Sequence, residues 1–313
     1  MKRVAAVDCG TNSVRLLIAD VSGDGLVDIE RRMEIVRLGE GVDRTGRLAP
    51  QALARTFAAM RGYAKLIEDH AAGERVPVRV VATSATRDAA NRDEFTAGVR
   101  DVFGVDPEVV TGEEEARLSF AGATADLPAG TAAPYLVVDI GGGSTEFIVG
   151  SGAGVEGALS VDIGCVRLTE RHLKDAGDPP SAEAVDAVAA DIEAALDRVE
   201  RAVPVRGART LIGLAGSVTT VAGISLGLPA YDASRIHHAR VPAERVHEIS
   251  ARLLAMTHDE RAAIPVMHPG RVDVIGAGAL ILDRIVRRYG FAEVVTSEHD
   301  ILDGIAYSVA GPA

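Results

Sequence analysis

The feature that most constrains this chain is an internal repeat. Asp8-Cys9-Gly10-Thr11-Asn12-Ser13-Val14-Arg15 aligns with Asp139-Ile140-Gly141-Gly142-Gly143-Ser144-Thr145-Glu146, so that Asp, Gly and Ser fall in register and an apolar stretch follows each copy. Residues 3 to 8 and 14 to 21 are apolar and β-branched around the first turn, a strand, tight turn, strand pattern that opens the fold with a hairpin. A sequence that builds this unit twice is expected to fold as two related halves. Its 313 residues also exceed what one small core accommodates comfortably.

The segments between the repeats alternate in type. A helix is expected after Pro50, a buried strand over Val76 to Thr83, a helix from Asn91 to Val102, and a short strand before Thr111-Gly112. Glu113-Glu114-Glu115 opens another helix, and the Pro-, Gly- and Ala-rich stretch Asp126 to Pro134 reads as a linker. Beyond the second repeat, Val185, Val188, Ile192, Leu196, Val199 and Val203 share one face of a long helix. A strand from Thr210 to Ala215 runs into a helix at Gly216-Ser217-Val218-Thr219-Thr220. Helices over Val241 to Thr257 and Arg271 to Arg288, a strand from Glu293 to Thr296 and a closing helix from Glu298 to Val309 complete the chain. This alternation predicts an α/β protein whose mixed sheets face one another across an interdomain cleft, the place where a ligand would sit.

Composition removes several function classes. Asp, Arg or Gly interrupts every hydrophobic stretch before it reaches the roughly 18 residues a membrane span needs. Met1-Lys2-Arg3-Val4-Ala5-Ala6-Val7 meets Asp8 before a signal-peptide core develops, so a cytoplasmic protein is expected, with no membrane partner. Cys9 and Cys165 are too few for a disulfide framework and lack zinc-site spacing. A net charge of −12 argues against nucleic acid as a partner. A polyanionic ligand would need a local basic groove, for which Arg15, Arg87, the run Arg167, Arg171, His172, Lys174 and the stretch Arg235, His237, His238, Arg240 are candidates, though each cluster also reads as a solvated surface.

Three glycine-containing turns follow strands: Gly10 to Ser13, Gly141 to Ser144, and Gly213 to Thr220. Successive N–H groups and neighbouring hydroxyls in such turns can cradle phosphate oxygens. Asp8 and Asp139 stand at strand ends just before the first two cradles, where a carboxylate can bind Mg²⁺ or its water shell, or simply cap the turn. Their repetition favours metal or water handling. Glu146 occupies in the second copy the place of Arg15 in the first, so a phosphate-facing cation and carboxylate would divide the work, with a surface ion pair as the plainer explanation. Glu113, Glu114 and Glu115 are equally well explained by the helix N-terminus that they open.

Five motifs then occur in order: Asp8 to Ser13, Thr83-Ser84-Ala85-Thr86-Arg87, Thr111-Gly112-Glu113-Glu114-Glu115-Ala116-Arg117, Val138-Asp139-Ile140-Gly141-Gly142-Gly143-Ser144-Thr145-Glu146, and Gly213-Leu214-Ala215-Gly216-Ser217. Together they resemble the exopolyphosphatase and guanosine pentaphosphate phosphohydrolase family across the whole chain. That resemblance implies two ribonuclease-H-like (actin-like) domains, here 1-127 plus 299-313 and 128-298. It also implies Glu115 as the catalytic glutamate, Asp139 and Glu146 as metal- and water-positioning carboxylates, and phosphate contacts from Asn12, Ser13, Arg87, Gly142, Gly143, Ser144 and Ser217; the turns and strand ends themselves add Gly10, Thr11, Arg15, Gly141 and Gly216 as expected phosphate contacts and Asp8 as an expected metal ligand. The cofactor expected is Mg²⁺, alone or with a monovalent cation, and a homodimer is expected from the resemblance.

The activity implied is release of terminal orthophosphate from linear, short-chain inorganic polyphosphate. Removal of the 5′ γ-phosphate of guanosine pentaphosphate is the close rival. A non-hydrolytic alarmone or nucleotide sensor is a third reading, and a kinase a fourth, for which Gly276-Ala277-Gly278 would serve an adenosine site unless those glycines mark close helix packing. Two departures from the family stand out. The C-terminal helical domains of longer members are not expected here, and Ile301-Leu302-Asp303-Gly304 stands where many of them bring an arginine and a glutamate. His299-Asp300 is expected to start a helix rather than bind metal, because no other ligand accompanies it in the sequence.

Overall fold

The computed structural model describes residues 1–23, 25–71 and 73–311, and the chain divides into two compact units, Met1–Ala125 with the segment from Asp300, and Asp126–His299. Pro312 and Ala313, the end of the expected first domain, lie outside the described residues.

The first unit begins with β1 (Lys2–Cys9), β2 (Ser13–Ser22) and β3 (Gly25–Ile35), followed by α1 (Val42–Thr45), α2 (Pro50–Asp69), β4 (Val78–Ala82), α3 (Ser84–Arg87), α4 (Arg92–Phe103), β5 (Glu108–Val109) and α5 (Gly112–Thr124). Its sheet has the order β3-β2-β1-β4-β5, with β1, β2 and β3 antiparallel and β4 and β5 added parallel to β1.

The second unit repeats that plan. Its elements are β6 (Tyr135–Ile140), β7 (Thr145–Ser151), β8 (Gly154–Val161), α6 (Cys165–Leu168), α7 (Ala182–Ala202), β9 (Thr210–Leu214), α8 (Ala215–Ser225), α9 (Ala233–Ile236), β10 (Arg240–Pro242), α10 (Ala243–Ala255), α11 (His258–Ala262), α12 (Ile275–Tyr289) and β11 (Glu293–Thr296). The sheet order β8-β7-β6-β9-β11 reproduces the first sheet strand for strand, and β10 adds one antiparallel edge strand. The chain then returns to the first unit as α13 (Ile301–Ala310). Each unit is a ribonuclease-H-like mixed sheet, and the duplicated hairpins begin both.

Strand β1 is buried on both faces, which its run of small and β-branched residues permits. Ala5, Val7 and Cys9 point to a core shared with α2 and α4, while Val4 and Ala6 point to the core that α13 closes with Ile301, Leu302, Ile305 and Ala306. Two glycines let α13 lie directly on α5. A Cβ on Gly122 would come within 1.9 Å of the Asp300 carbonyl oxygen, and one on Gly304 within 2.0 Å of that of Leu118. The second unit has one large core in which Val188, Ile192, Leu196 and Val199 of α7 pack, as the helical spacing implies.

The elements differ from expectation in a few places, each with a local cause. β3, a further strand, lies at the sheet edge; Val27, Ile29, Met33 and Ile35 alternate along it with Asp28, Glu30, Arg32 and Glu34, a strand pattern interrupted only by Arg31. Residues 240–242 form β10 rather than the start of a helix, and Pro242 then caps α10. The helix expected from Arg271 starts at Ile275 after a 3₁₀ turn at Pro269–Arg271. α13 starts at Ile301 because Asp300 and Asp303 form a capping box. No helix among the described residues is long and apolar enough to cross a membrane.

Candidate active site

The two hairpins place equivalent side chains in equivalent register. In the first unit Asp8 on β1 stands opposite Arg15 on β2, and in the second Asp139 on β6 stands opposite Glu146 on β7. Directly opposed residues of an antiparallel pair project to the same face. The turns match as well, for Gly10 N donates to Ser13 O and Gly141 N donates to Ser144 O, both at 3.0 Å.

What surrounds the pairs differs. Arg15 donates through Nε and Nη2 to Asp8 Oδ2 at 2.9 and 2.7 Å, and through Nη1 to Asp300 at the start of α13. It is therefore held by two buried carboxylates. Burial pushes the Asp8 carboxyl above its ordinary value against the pull of Arg15. For Asp300, burial acts upward too, but Arg15 outweighs it and the carboxyl lies below the usual range. Asp8 Oδ1 is buried and has no hydrogen-bond partner among the described residues.

In the second unit both opposed groups are carboxylates, with Asp139 8% and Glu146 1% exposed. Ser160, opposite Glu146 on β8, donates to Glu146 Oε1 at 2.7 Å. The adjoining turn directs its carbonyls toward the start of α6. Gly141 O accepts from Cys165 N, Gly142 O from Val166 N and Arg167 N, and Gly143 O from Arg167 Nε at 2.7 Å. The N–H groups of Gly142, Gly143 and Ser144 donate to no acceptor among the described residues. That polarity suits an anion. The turn also needs a glycine across from it, since a Cβ on Gly164 would lie 2.2 Å from the Gly142 oxygen.

Of the three glutamates that open α5, packing singles out one. Glu113 pairs with Arg117 and Glu114 with Arg79, both with exposed carboxylates, whereas Glu115 is 7% exposed and accepts from Arg87 Nη1 at 3.1 Å. Arg87, at the end of α3, is fixed by a second bond from the same nitrogen to Val110 O at 2.9 Å. Arg87 is thus placed to orient the Glu115 carboxylate.

The third turn joins β9 to α8. Ala215 adopts φ 67°, the left-handed region, and Ser217 is buried in the first turn of the helix. A Cβ on Gly278 would strike Ser217 Oγ at 2.1 Å, so Gly278 marks close helix packing and not an adenosine site. The guanidinium of Arg271 lies against Gly216, where a Cβ would come within 2.2 Å of its Cζ. Sequence reasoning did not pick out Arg271 or Ser160 as site residues and read Asp300 only as a helix start; no local signal marks any of the three as part of the site.

The expected basic clusters are largely compensated. Arg171 and His172 pair with Asp191, Arg240 with Glu293, and His237 with Asp126. Arg167 is the member of its run that reaches a glycine turn. The expectation that His299 has no companion ligands is overturned. Asp300 does cap α13, but His299 lies beside Asp126 and His237. These residues are 173 and 62 positions away in sequence, so no local spacing could reveal them.

The family and relatives of these duplicated ribonuclease-H-like units, with their glycine turns and buried carboxylates, are those of a phosphoanhydride hydrolase. The Ppx/GppA phosphatase family model matches residues 17–311, and the chain belongs to that family. It is 50% identical over 325 aligned residues to Exopolyphosphatase 2 of Mycobacterium tuberculosis, covering 99% of both chains. Among solved structures, an exopolyphosphatase-like protein superposes with a TM-score of 0.92 at 42% identity, covering 97% of each chain. The Aquifex aeolicus Ppx/GppA family member superposes with a TM-score of 0.80 at 30% identity over 99% of this chain and 97% of that one.

Proposed function

We propose that the chain releases terminal orthophosphate from linear, short-chain inorganic polyphosphate. The observation that carries this reading is the Asp139–Glu146 carboxylate pair set beside a turn whose Gly142, Gly143 and Ser144 N–H groups donate to no acceptor among the described residues. The half-identity to an exopolyphosphatase along nearly its whole length supports the choice of substrate. Phosphoryl transfer asks mainly for positioning and charge neutralisation. In this reading the turns at 10–13, 141–144 and 216–217 hold phosphate oxygens. Asp139 and Glu146 are the water-positioning carboxylates of the second unit, and Glu115 of the first, oriented by Arg87, is the general base. Arg15, bound by Asp8 and Asp300, acts chiefly by holding Asp8 in place.

The residues present fit Mg²⁺. In the second unit Asp139 and Glu146 offer the hard oxygen donors this ion prefers, and in the first the buried Asp8 Oδ1 has no hydrogen-bond partner among the described residues. Bound there, the ion would neutralise charge on phosphate oxygens. We place the protein in the cytosol as a homodimer, with residues 1-127 and 299-313 as one domain and 128-298 as the other.

The test is phosphate release from short polyphosphate, long polyphosphate and guanosine pentaphosphate, with and without Mg²⁺. Glu115→Gln should lower release by about 10²- to 10⁴-fold. Wild-type rates in that variant would remove Glu115 from its role, and release confined to guanosine pentaphosphate would replace the substrate.

A further inference from the structure

Three histidines gather around one carboxylate at the two ends of the second unit. Asp126 opens that unit and His299 closes it, while His237 and His238 lie between α9 and β10. His237 Nε2 is 2.9 Å and His299 Nδ1 3.0 Å from Asp126 Oδ2, and His238 Nε2 is 3.6 Å from Asp126 Oδ1. The His237 ring centroid lies 3.7 Å from that of His238 and 4.5 Å from that of His299. Donor atoms of Asp126, His237 and His299 all fall within 4.8 Å of one another. His238 adopts φ 60°, and its Nε2 is buried with no hydrogen-bond partner among the described residues.

We propose that Asp126, His237 and His299 form a three-ligand binding site for a first-row transition-metal dication of the Zn²⁺ type, with water at the fourth position. Imidazole nitrogens select such ions over Mg²⁺ or Ca²⁺, which take oxygen donors. Ligands held about 2.0–2.2 Å from a tetrahedral ion stand about 3.3–3.6 Å from each other; Asp126 lies 2.9 and 3.0 Å from His237 and His299, and the three donor atoms all lie within 4.8 Å of one another. The three side chains keep between 21% and 38% exposure, which leaves the site open to solvent.

In the metal-free protein the cluster is held together by protons. Glu298 N donates to His237 Nδ1 at 3.1 Å, which puts the ring proton on Nε2, facing Asp126. An ion bound at Nε2 takes the place of that proton, which moves to Nδ1, and the Glu298 amide loses its acceptor. Occupancy is thereby coupled to the segment that leads from β11 to His299. The ion would clasp the two chain segments at which the second unit begins and ends.

The test needs no substrate. Protein stripped with a chelator is dialysed against micromolar Zn²⁺ and assayed for bound metal, and Co²⁺ is titrated while its visible absorption is followed. The site predicts one ion per chain, an intense tetrahedral Co²⁺ spectrum, and affinity weakened more than about 10-fold in Asp126→Asn and in His299→Phe, with His172→Ala unchanged. Melting in chelator shows that each variant is folded, and His237→Gln replaces any that is not. Absence of stoichiometric Zn²⁺ binding, or a Co²⁺ spectrum and affinity unaltered in the cluster variants, overturns the proposal.

Discussion

Asp139 and Glu146 stand directly opposite one another on antiparallel strands, in the register that pairs Asp8 with Arg15 in the other copy of the hairpin. Replacing the cation of one copy by a carboxylate converts an internally neutralised pair into two adjacent buried acids. Such a pair gains from a bound cation or an ordered hydrogen-bond donor, and Ser160 is one donor that it has.

Ser160→Ala should therefore act through Glu146. Loss of one hydrogen bond to a carboxylate corresponds to about 1.5 kcal/mol, or about tenfold in kcat for polyphosphate, with KM little changed. An unaltered kcat would mean that Ser160 does not position Glu146.

Arg15→Met leaves Asp8 and Asp300 buried without their shared cation. Breaking a buried ion pair costs about 3–5 kcal/mol, and the 21% exposure of the Arg15 side chain points to the lower end. Urea denaturation should show a lower midpoint, and a midpoint equal to wild type would contradict the structural role given to Arg15.

Gly304→Ala places a methyl group 2.0 Å from the backbone oxygen of Leu118, which cannot swing away as a flexible side chain would. Helices α5 and α13 must separate, at a cost of about 1–3 kcal/mol. Calorimetry should record a lower Tm, whereas Gly62→Ala, where nothing lies within 4 Å, should leave Tm unchanged or slightly raised.

Arg288 binds Glu200, Glu193 and Asp197, and its hydrogen bond to Glu200 holds that carboxyl below the ordinary range against a small opposing effect of burial. A depressed folded-state pKa gives stability that is present above the unfolded value of about 4.3 and is lost as pH falls through the folded value. Arg288→Gln should cost about 1 kcal/mol at pH 7, a figure discounted for screening at this partly exposed site, and much less at pH 2. Equal losses at the two pH values would argue that Arg288 acts by packing alone.

The Glu115→Gln assay depends on a distinction that sequence could not make. Glu113, Glu114 and Glu115 are alike as residues that open a helix, and only the packing of α5 buries the third against Arg87. The glycine turn at 141–144 was legible in the sequence, but the use of its carbonyls by α6 was not, because the two segments are some twenty residues apart.

By itself the sequence determined the hairpin repeat, the order of most strands and helices, and the residue types at the glycine turns. Those follow from periodicity of two or 3.6 residues and from turn chemistry, which act over a few neighbours. Tertiary structure alone decided which charges are compensated and which groups converge. Arg15 meets Asp300 across 285 positions, and His299 meets Asp126 and His237, because chain crossings bring distant residues together and only the folded packing determines where those crossings fall.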